Sequence, residues 1–382
     1  MFVCICKAVT DKAIKQAIAG GAETMRELKA ELGVGSQCGK CVCQAQQILH
    51  NELVKQQQLI DSLAKPAAVY RFGILLAGGT LTVRSWEMDQ IKQVAIVGGV
   101  HGNEFSGIYL VKQYQQQPEQ ITRSSFTTET VWANPEAHYA NKRYLHSDLN
   151  RQFKTVDLAN PDLSNYEQSR AKVLNAQLGP KGNARIDLLI DLHNTTSNMG
   201  ACLILTQAGP FYNKLAAYVK MKMPEAIISR DEDHFAAEDH ALMCTLGRYG
   251  VLVEVGPQPQ SVLRQDVLEL MHRMTQHILD FVELYNKDAL PALPKQTEAF
   301  RYLHSIKLPM NERGERIGMV HKNVQDRDYQ PIHPGDPLFT LFDGTVVPYQ
   351  GETVVYPTFI NEAAYYDNNL AMSLNEKVLI EL

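Results

Sequence analysis

The sequence predicts an α/β protein: a mixed, mainly parallel sheet flanked by helices, with a small helical unit before it and a β-rich segment after it. Three observations carry this. Val94-Ala-Ile-Val97, Ile186-Asp-Leu-Leu-Ile190 and Val251-Leu-Val253 are short, nearly continuous apolar runs, as expected of strands buried on both faces. Helical patterns separate them, most clearly over 262–284, which is the α/β alternation. Ahead of the first run, five of the seven cysteines crowd between positions 4 and 43.

Taken in order, Cys4 and Cys6 form a C-x-C pair, and Ala13, Ile14, Ala17 and Ile18 then recur at helical spacing between a Thr10 cap and Gly20-Gly21. A second helix starts at Thr24, with Glu27 as capping-box partner, and stops at Gly33. The turn that follows presents Cys38-Gly-Lys-Cys41, and Ala45, Leu49 and Leu53 continue a third helix into a solvated Gln-rich stretch. The organisation read from this is a helical unit over 1–58, a linker or packed connecting segment over 59–92, an α/β unit over 93–290 and a β-rich unit over 298–382. The apolar run 73–79 reads equally as a strand or as packed linker. Between the last two units lies Asp288-Ala-Leu-Pro-Ala-Leu-Pro294, and His333-Pro-Gly-Asp-Pro337 marks a turn in the final one.

Composition narrows the function. With 382 residues, 45% hydrophobic and 21% charged, the chain is globular and long enough for two or three domains. A net charge of -5 and a pI near 6.2 supply no basic stripe for nucleic acid. No apolar run approaches the roughly 20 residues a membrane helix needs, and the N-terminus lacks a secretory pattern, so a cytoplasmic protein is expected. An odd cysteine count clustered at one end is not a disulfide framework.

The catalytic expectation comes from where the apolar runs lead. Val94 to Val97 runs through Gly98-Gly99 into His101 and Glu104; Ile186 to Leu192 runs into His193; the run from Val251 reaches Glu254. In open α/β sheets, ligands bind outside the carboxyl ends of the strands, so these distant groups meet there. His101, Glu104 and His193 make a ligand set that leaves one position for water on a zinc ion, which activates that water and polarises a carbonyl. Glu254 is left to take the water's proton and pass it to a departing amine. Alone, H-x-x-E is a weak signal, and a histidine at a strand end is often structural.

Whole motifs extend the match. Gly99-Val-His101-Gly-Asn-Glu104, Asp148-Leu-Asn150-Arg151, Asp191-Leu-His193-Asn-Thr-Thr-Ser-Asn-Met-Gly200, Glu254-Val-Gly-Pro-Gln-Pro-Gln260 and Asn361-Glu-Ala-Ala-Tyr365-Tyr366 resemble the aspartoacylase and succinylglutamate desuccinylase family of zinc carboxypeptidase-like hydrolases, from about residue 93 to the C-terminus. The resemblance implies hydrolysis of a small-molecule N-acyl amino acid, typically N-acetyl-L-aspartate, with zinc on His101, Glu104 and His193 and with Glu254 as general base and acid. It further implies that Arg143 stabilises the oxyanion, that Asn150 and Arg151 hold the α-carboxylate and that Tyr365 contacts substrate. The chain departs from the family at Cys244, where an arginine would grip the aspartate side chain, and at His240, where the family has tyrosine. Arg248 is a candidate substitute. A desuccinylase or an acylase for another acyl amino acid therefore stays open, as does a homo-oligomer.

Residues 1 to about 53 resemble the bacterioferritin-associated ferredoxin-like domain, which implies a [2Fe-2S] cluster on Cys4, Cys6, Cys38 and Cys41 and a redox partner for this unit. Read from the residues alone, the same four sulfurs also suit a structural zinc or free thiols. Cys43 is a spare ligand or a buried thiol. A protein of a different class, a redox sensor or electron carrier on a vestigial hydrolase scaffold, is the competing reading.

Overall fold

The computed structural model describes residues 2–7, 9–19, 22, 25–36, 41, 45, 48–49, 52, 90–230, 235–236 and 238–382, and divides into two units, Met1–Val83 and Arg84–Leu382. In the first, β1 (Phe2–Cys4) pairs antiparallel with β2 (Val9–Thr10), followed by α1 (Asp11–Ala19) and α2 (Met25–Leu32). The Thr10 hydroxyl accepts from the Ala13 N–H at 3.2 Å, so the expected cap is formed. Gly33, at φ +71°, ends α2 in the left-handed conformation that favours glycine. Ile14, Leu28 and Ala45 are wholly buried, and Cys4 and Cys41 belong to the same core. Of the third expected helix, residues 45, 48, 49 and 52 are described and helical. Cys38, Cys43 and the run 73–79 lie outside the described residues.

The second unit is built on one nine-stranded sheet. Its strands are β3 (Gln93–Gly98), β4 (Thr127–Trp132), β5 (Leu188–Asn194), β6 (Gly200–Leu205), β7 (Ile227–Arg230), β8 (Tyr249–Gly256), β9 (Gln296–Lys307), β13 (Tyr356–Thr358) and β14 (Leu370–Glu381). The spatial order is β13-β14-β9-β7-β6-β8-β5-β3-β4, parallel except at β6–β8, β9–β14 and β13–β14. The sheet is therefore mixed and mainly parallel. Between the strands run α3 (Phe105–Gln116), α4 (Pro135–Tyr139), α5 (Thr155–Ala159), α6 (Tyr166–Leu178), α7 (Pro210–Lys222) and α8 (Gln265–Asn286). Among the described residues no helix is long and apolar enough to cross a membrane.

Strand alternation divides two cores between the two faces. Val94, Ile96, Leu188, Ile190 and Val253 pack with Val111 of α3, Leu215 of α7 and Ile278 of α8. Ala95, Val97, Leu189 and Leu252 pack with Leu174 of α6 and with Phe300 and Tyr329 from beyond residue 295. The odd-numbered positions of β5 and the even-numbered positions of β8 thus share the second face, and it is there that the polar residues gather. The C-terminal segment is β-rich, as expected, and divides between two sheets. β9 pairs parallel with β7 and extends the central sheet, whereas β10 (Gly318–Val320), β11 (Pro337–Leu341) and β12 (Val346–Pro348) form a separate antiparallel one.

Candidate active site

At the carboxyl end of β3 the backbone turns tightly. Gly99 is at φ +71°, and a Cβ on Gly102 would stand 2.2 Å from the Ala137 carbonyl carbon, so the turn carrying His101 closes against α4 only with glycine there. Glu104 caps α3. His193 and Glu254 were expected just past their strands, but β5 and β8 extend through both. They are register partners in the parallel β5–β8 pair, which sets their side chains next to each other on one face. The ladder continues because only side chains change character here, from apolar to polar, while the backbone groups remain paired.

Glu104 sits between the two imidazoles. Its Oε1 lies 2.7 Å from His101 Nδ1, and its Oε2 accepts from His193 Nδ1 at 2.9 Å. The other nitrogen of each ring faces an aspartate: His101 Nε2 meets Asp148 Oδ1 at 3.0 Å, and His193 Nε2 lies 2.9 Å from Asp191 Oδ2. Arg143 donates to Glu104 Oε1 at 2.9 Å and to Asp148 Oδ2 at 3.2 Å. All three of His101, Glu104 and His193 are buried. Burial alone would raise the Glu104 carboxyl, but the two imidazoles outweigh it and hold the group well below the usual carboxylate range. Burial would lower His193; Asp191 and Glu104 reverse this and raise it strongly. Burial pushes Glu254 well up, and the Glu104 and Glu362 carboxylates add to this against His193 and Arg143.

This donor set fits a divalent cation. One ligand atom from each of His101, Glu104 and His193 falls within 4.8 Å of the others. Buried His101 Nδ1 lies close to Glu104 Oε1 without the alignment of a hydrogen bond, as two ligands aimed at a shared third atom would. Each imidazole is backed by a carboxylate, the arrangement that fixes tautomer and ring orientation in metal sites. Ligation requires neutral imidazole, so a cation would displace the protons the carboxylates now favour.

The three residues open onto a cleft that Arg143, Asn150, Arg151, Glu254 and Tyr365 also line. Asn150 and Arg151 occupy a short helical turn, Leu149–Arg151, that Asp148 caps by accepting from the Asn150 N–H at 2.8 Å. Tyr365 is on the turn Ala363–Asn368, whose cap, Glu362, reaches across to the loop after β5. Glu362 Oε2 accepts from the Thr196 N–H at 2.8 Å and from the Thr195 hydroxyl. Asp148, Asp191 and Glu362 are roles that sequence reasoning missed. For Asp191 a signal existed: two residues before His193 on a strand is the same face. Asp148 and Glu362 act through loop contacts that no periodicity announces.

The expected substrate positions of Cys244, His240 and Arg248 do not fall on the cleft. Cys244 and His240 are buried, and Arg248 pairs with Asp187 at 3.2 Å and donates to the Gln90 carbonyl at 2.9 Å. The corresponding wall is Ile204, Leu242, Leu252 and Phe359.

In the first unit, Cys4 and Cys41 are buried together and Cys6 is exposed. Burial raises the Cys4 thiol, but a hydrogen bond from Cys41 and backbone N–H groups at Lys7, Gly35 and Cys6 bring it down; Cys41 is pushed up by Cys4 and by burial. A thiol whose deprotonation backbone amides favour, with a second thiol beside it, suits a thiophilic metal.

Comparison with known proteins places these features. Residues 90–282 match the succinylglutamate desuccinylase/aspartoacylase catalytic domain, 295–377 the AstE/AspA barrel-sandwich hybrid domain and 2–51 the BFD-like [2Fe-2S] binding domain. A probable aspartoacylase of Nostoc sp. is 42% identical over 293 residues, 77% of this chain and 99% of that protein. The N-acyl-aromatic-L-amino acid amidohydrolase (carboxylate-forming) of Rattus norvegicus is 41% identical over 296 residues, 76% of this chain and 92% of that one. The crystal structure of murine aminoacylase 3 superposes with a TM-score of 0.72 at 39% identity, covering 77% of this chain and 97% of that one.

Proposed function

The chain belongs to the succinylglutamate desuccinylase/aspartoacylase family, and from that premise we propose that it is a zinc-dependent amidohydrolase releasing a carboxylate and a free amino acid from an N-acyl amino acid. The observation that carries this is Glu104 bracketed by two carboxylate-backed imidazoles, with Glu254 beside His193 and Arg143 closing the far side. Zinc on His101, Glu104 and His193 would supply Lewis-acid polarisation of the amide carbonyl and of the attacking water. Glu254 accepts the water's proton and returns it to the leaving nitrogen. Arg143 presents a fixed guanidinium to the developing oxyanion, worth a few kcal/mol by analogy with other oxyanion donors. Asn150 and Arg151 hold the α-carboxylate, Arg151 through a fork that lysine cannot reproduce, and Tyr365 closes over the bound molecule.

N-acetyl-L-aspartate is the first substrate to test. A second reading, an acyl amino acid with an apolar or aromatic side chain, is favoured by the wall of Ile204, Leu242, Leu252 and Phe359, which offers a second carboxylate no cation. A screen of acetyl and succinyl derivatives of aspartate, glutamate and the aromatic amino acids separates these. Protein that lacks stoichiometric zinc, or that cleaves none of them, would refute the assignment.

In the first unit, Cys4, Cys6, Cys38 and Cys41 would hold a [2Fe-2S] cluster, which would supply one-electron chemistry to a redox partner. Amide hydrolysis needs no electrons, so the cluster is accessory to it. The thiol usage accords with a cytoplasmic setting. Anaerobic purification should yield brown protein with about two irons and two sulfides per chain.

A further inference from the structure

Lys181 follows α6 and stands outside the lining of the catalytic cleft, yet its ammonium is spent entirely on the segments that build one end of it. Nζ donates to the Phe153 carbonyl at 2.7 Å, to the His240 carbonyl and to the Thr245 hydroxyl at 3.0 Å. All three ammonium protons are used. The backbone N–H of Lys181 is itself tied to Asn175 Oδ1 of α6 at 2.8 Å, so the stem has a fixed root.

Its acceptors belong to two strips that meet at the substrate. One runs from Asp148 through Asn150 and Arg151 to Phe153. The other runs from Glu238 to Thr245 and contributes Leu242 to the cleft wall. The strips are sewn together by Phe153 N–H to the Ala241 carbonyl at 3.2 Å, Thr155 N–H to the Glu238 carbonyl at 2.9 Å and Met243 N–H to Asn150 Oδ1 at 2.8 Å. Lys181 fastens both from behind, and the Thr245 hydroxyl relays the contact by donating to the Leu242 carbonyl at 2.6 Å. Without it, Phe153, His240 and Thr245 lose their shared donor, while Asp148 and Asn150 keep their contacts with His101, Arg143 and His193.

We propose that Lys181 is a positioning residue for substrate binding: through Phe153, His240 and Thr245 it sets where Asn150 and Arg151 stand against Leu242, and so governs affinity rather than the chemical step. This rests on the reading that Asn150 and Arg151 grip the α-carboxylate. A charge-assisted bond to each strip is strong enough for its loss to be read in KM.

The test uses the full-length, zinc-loaded protein and whichever acyl amino acid it cleaves. Lys181→Met keeps the stem and deletes the donors; KM should rise about tenfold with kcat within about twofold, and Lys181→Arg should recover most of the loss. An unchanged KM, or a fall in kcat alone, overturns the proposal. Arg151→Met measured in parallel separates the two layers: if its KM does not move, the carboxylate reading fails; if it rises while Lys181→Met stays unchanged, the Lys181 role fails. Amide exchange needs no turnover, and Lys181→Met should speed exchange at Met243 while leaving β5 as it was; unaltered exchange at Met243 counts against the proposal. Should Lys181→Met not fold, Thr245→Val removes the relay alone. A raised KM in that variant supports the role and a parental one overturns it.

Discussion

In the larger unit each candidate metal ligand is held by a second group before any metal is considered. His101 leans on Asp148, His193 on Asp191, and Glu104 on Arg143; His193 is on β5, and His101 and Glu104 are on the turn that joins β3 to α3. In the smaller unit the thiols have a thinner frame: Cys4 is held by Cys41 and backbone amides, and both are members of the small core they would organise. A domain of about fifty residues buries too little apolar surface to be secure, so metal bound there would contribute to folding. The contrast is that the larger unit's site is preformed by the sheet and the turns after it, whereas a metal on the cysteines would support the small core that holds them.

The largest effect that would break this contrast is chemical. Glu254→Gln should lower hydrolysis by about a thousandfold or more while zinc content stays at one per chain, measured by steady-state turnover and metal analysis. Retained activity would remove Glu254 from the proposed reaction. Next, Arg143→Met should cost about 10²- to 10³-fold in kcat with a smaller change in KM, since its charge is aimed at the transition state. A change confined to KM would reassign it to ground-state binding.

Smaller effects test the backing groups and the unit boundary. Asp148→Asn should weaken zinc affinity about 10- to 100-fold in a chelator competition, with turnover restored by added zinc. No change would mean that Asp148 serves Arg143 and the Asn150 turn alone. Cys41→Ser should abolish the visible absorption and loosen the first unit in hydrogen exchange, yet leave hydrolysis within about twofold, because the strand-end site needs no electrons. A large loss of turnover would show that the cluster governs the hydrolase rather than accompanying it.

Legibility in the sequence followed the same division. His101, Glu104, His193 and Glu254 could be found because apolar runs announce buried parallel strands, and a polar residue at the end of such a run has few places to go but the cleft. Asp191 was legible by alternation and was overlooked. Arg143, Asn150, Arg151 and Tyr365 were reachable only through motif resemblance, since loops carry no period. The expected Cys244 substitution illustrates the limit: counting along the chain placed it in the substrate pocket, but the turn Met243–Leu246 buries it in the core and gives the wall to Leu242.

Hydrophobic periodicity and local spacing are properties of neighbouring residues, so the α/β class, the candidate strand-end ligand set and the cysteine-rich unit could be read along the chain. What backs each candidate ligand, what lines the cleft and how the C-terminal strands join the central sheet emerge only in the folded molecule. Those depend on contacts between residues such as Asp148 with His101, Glu362 with Thr196, and Lys181 with His240, which lie far apart along the chain and meet only when the sheet is assembled.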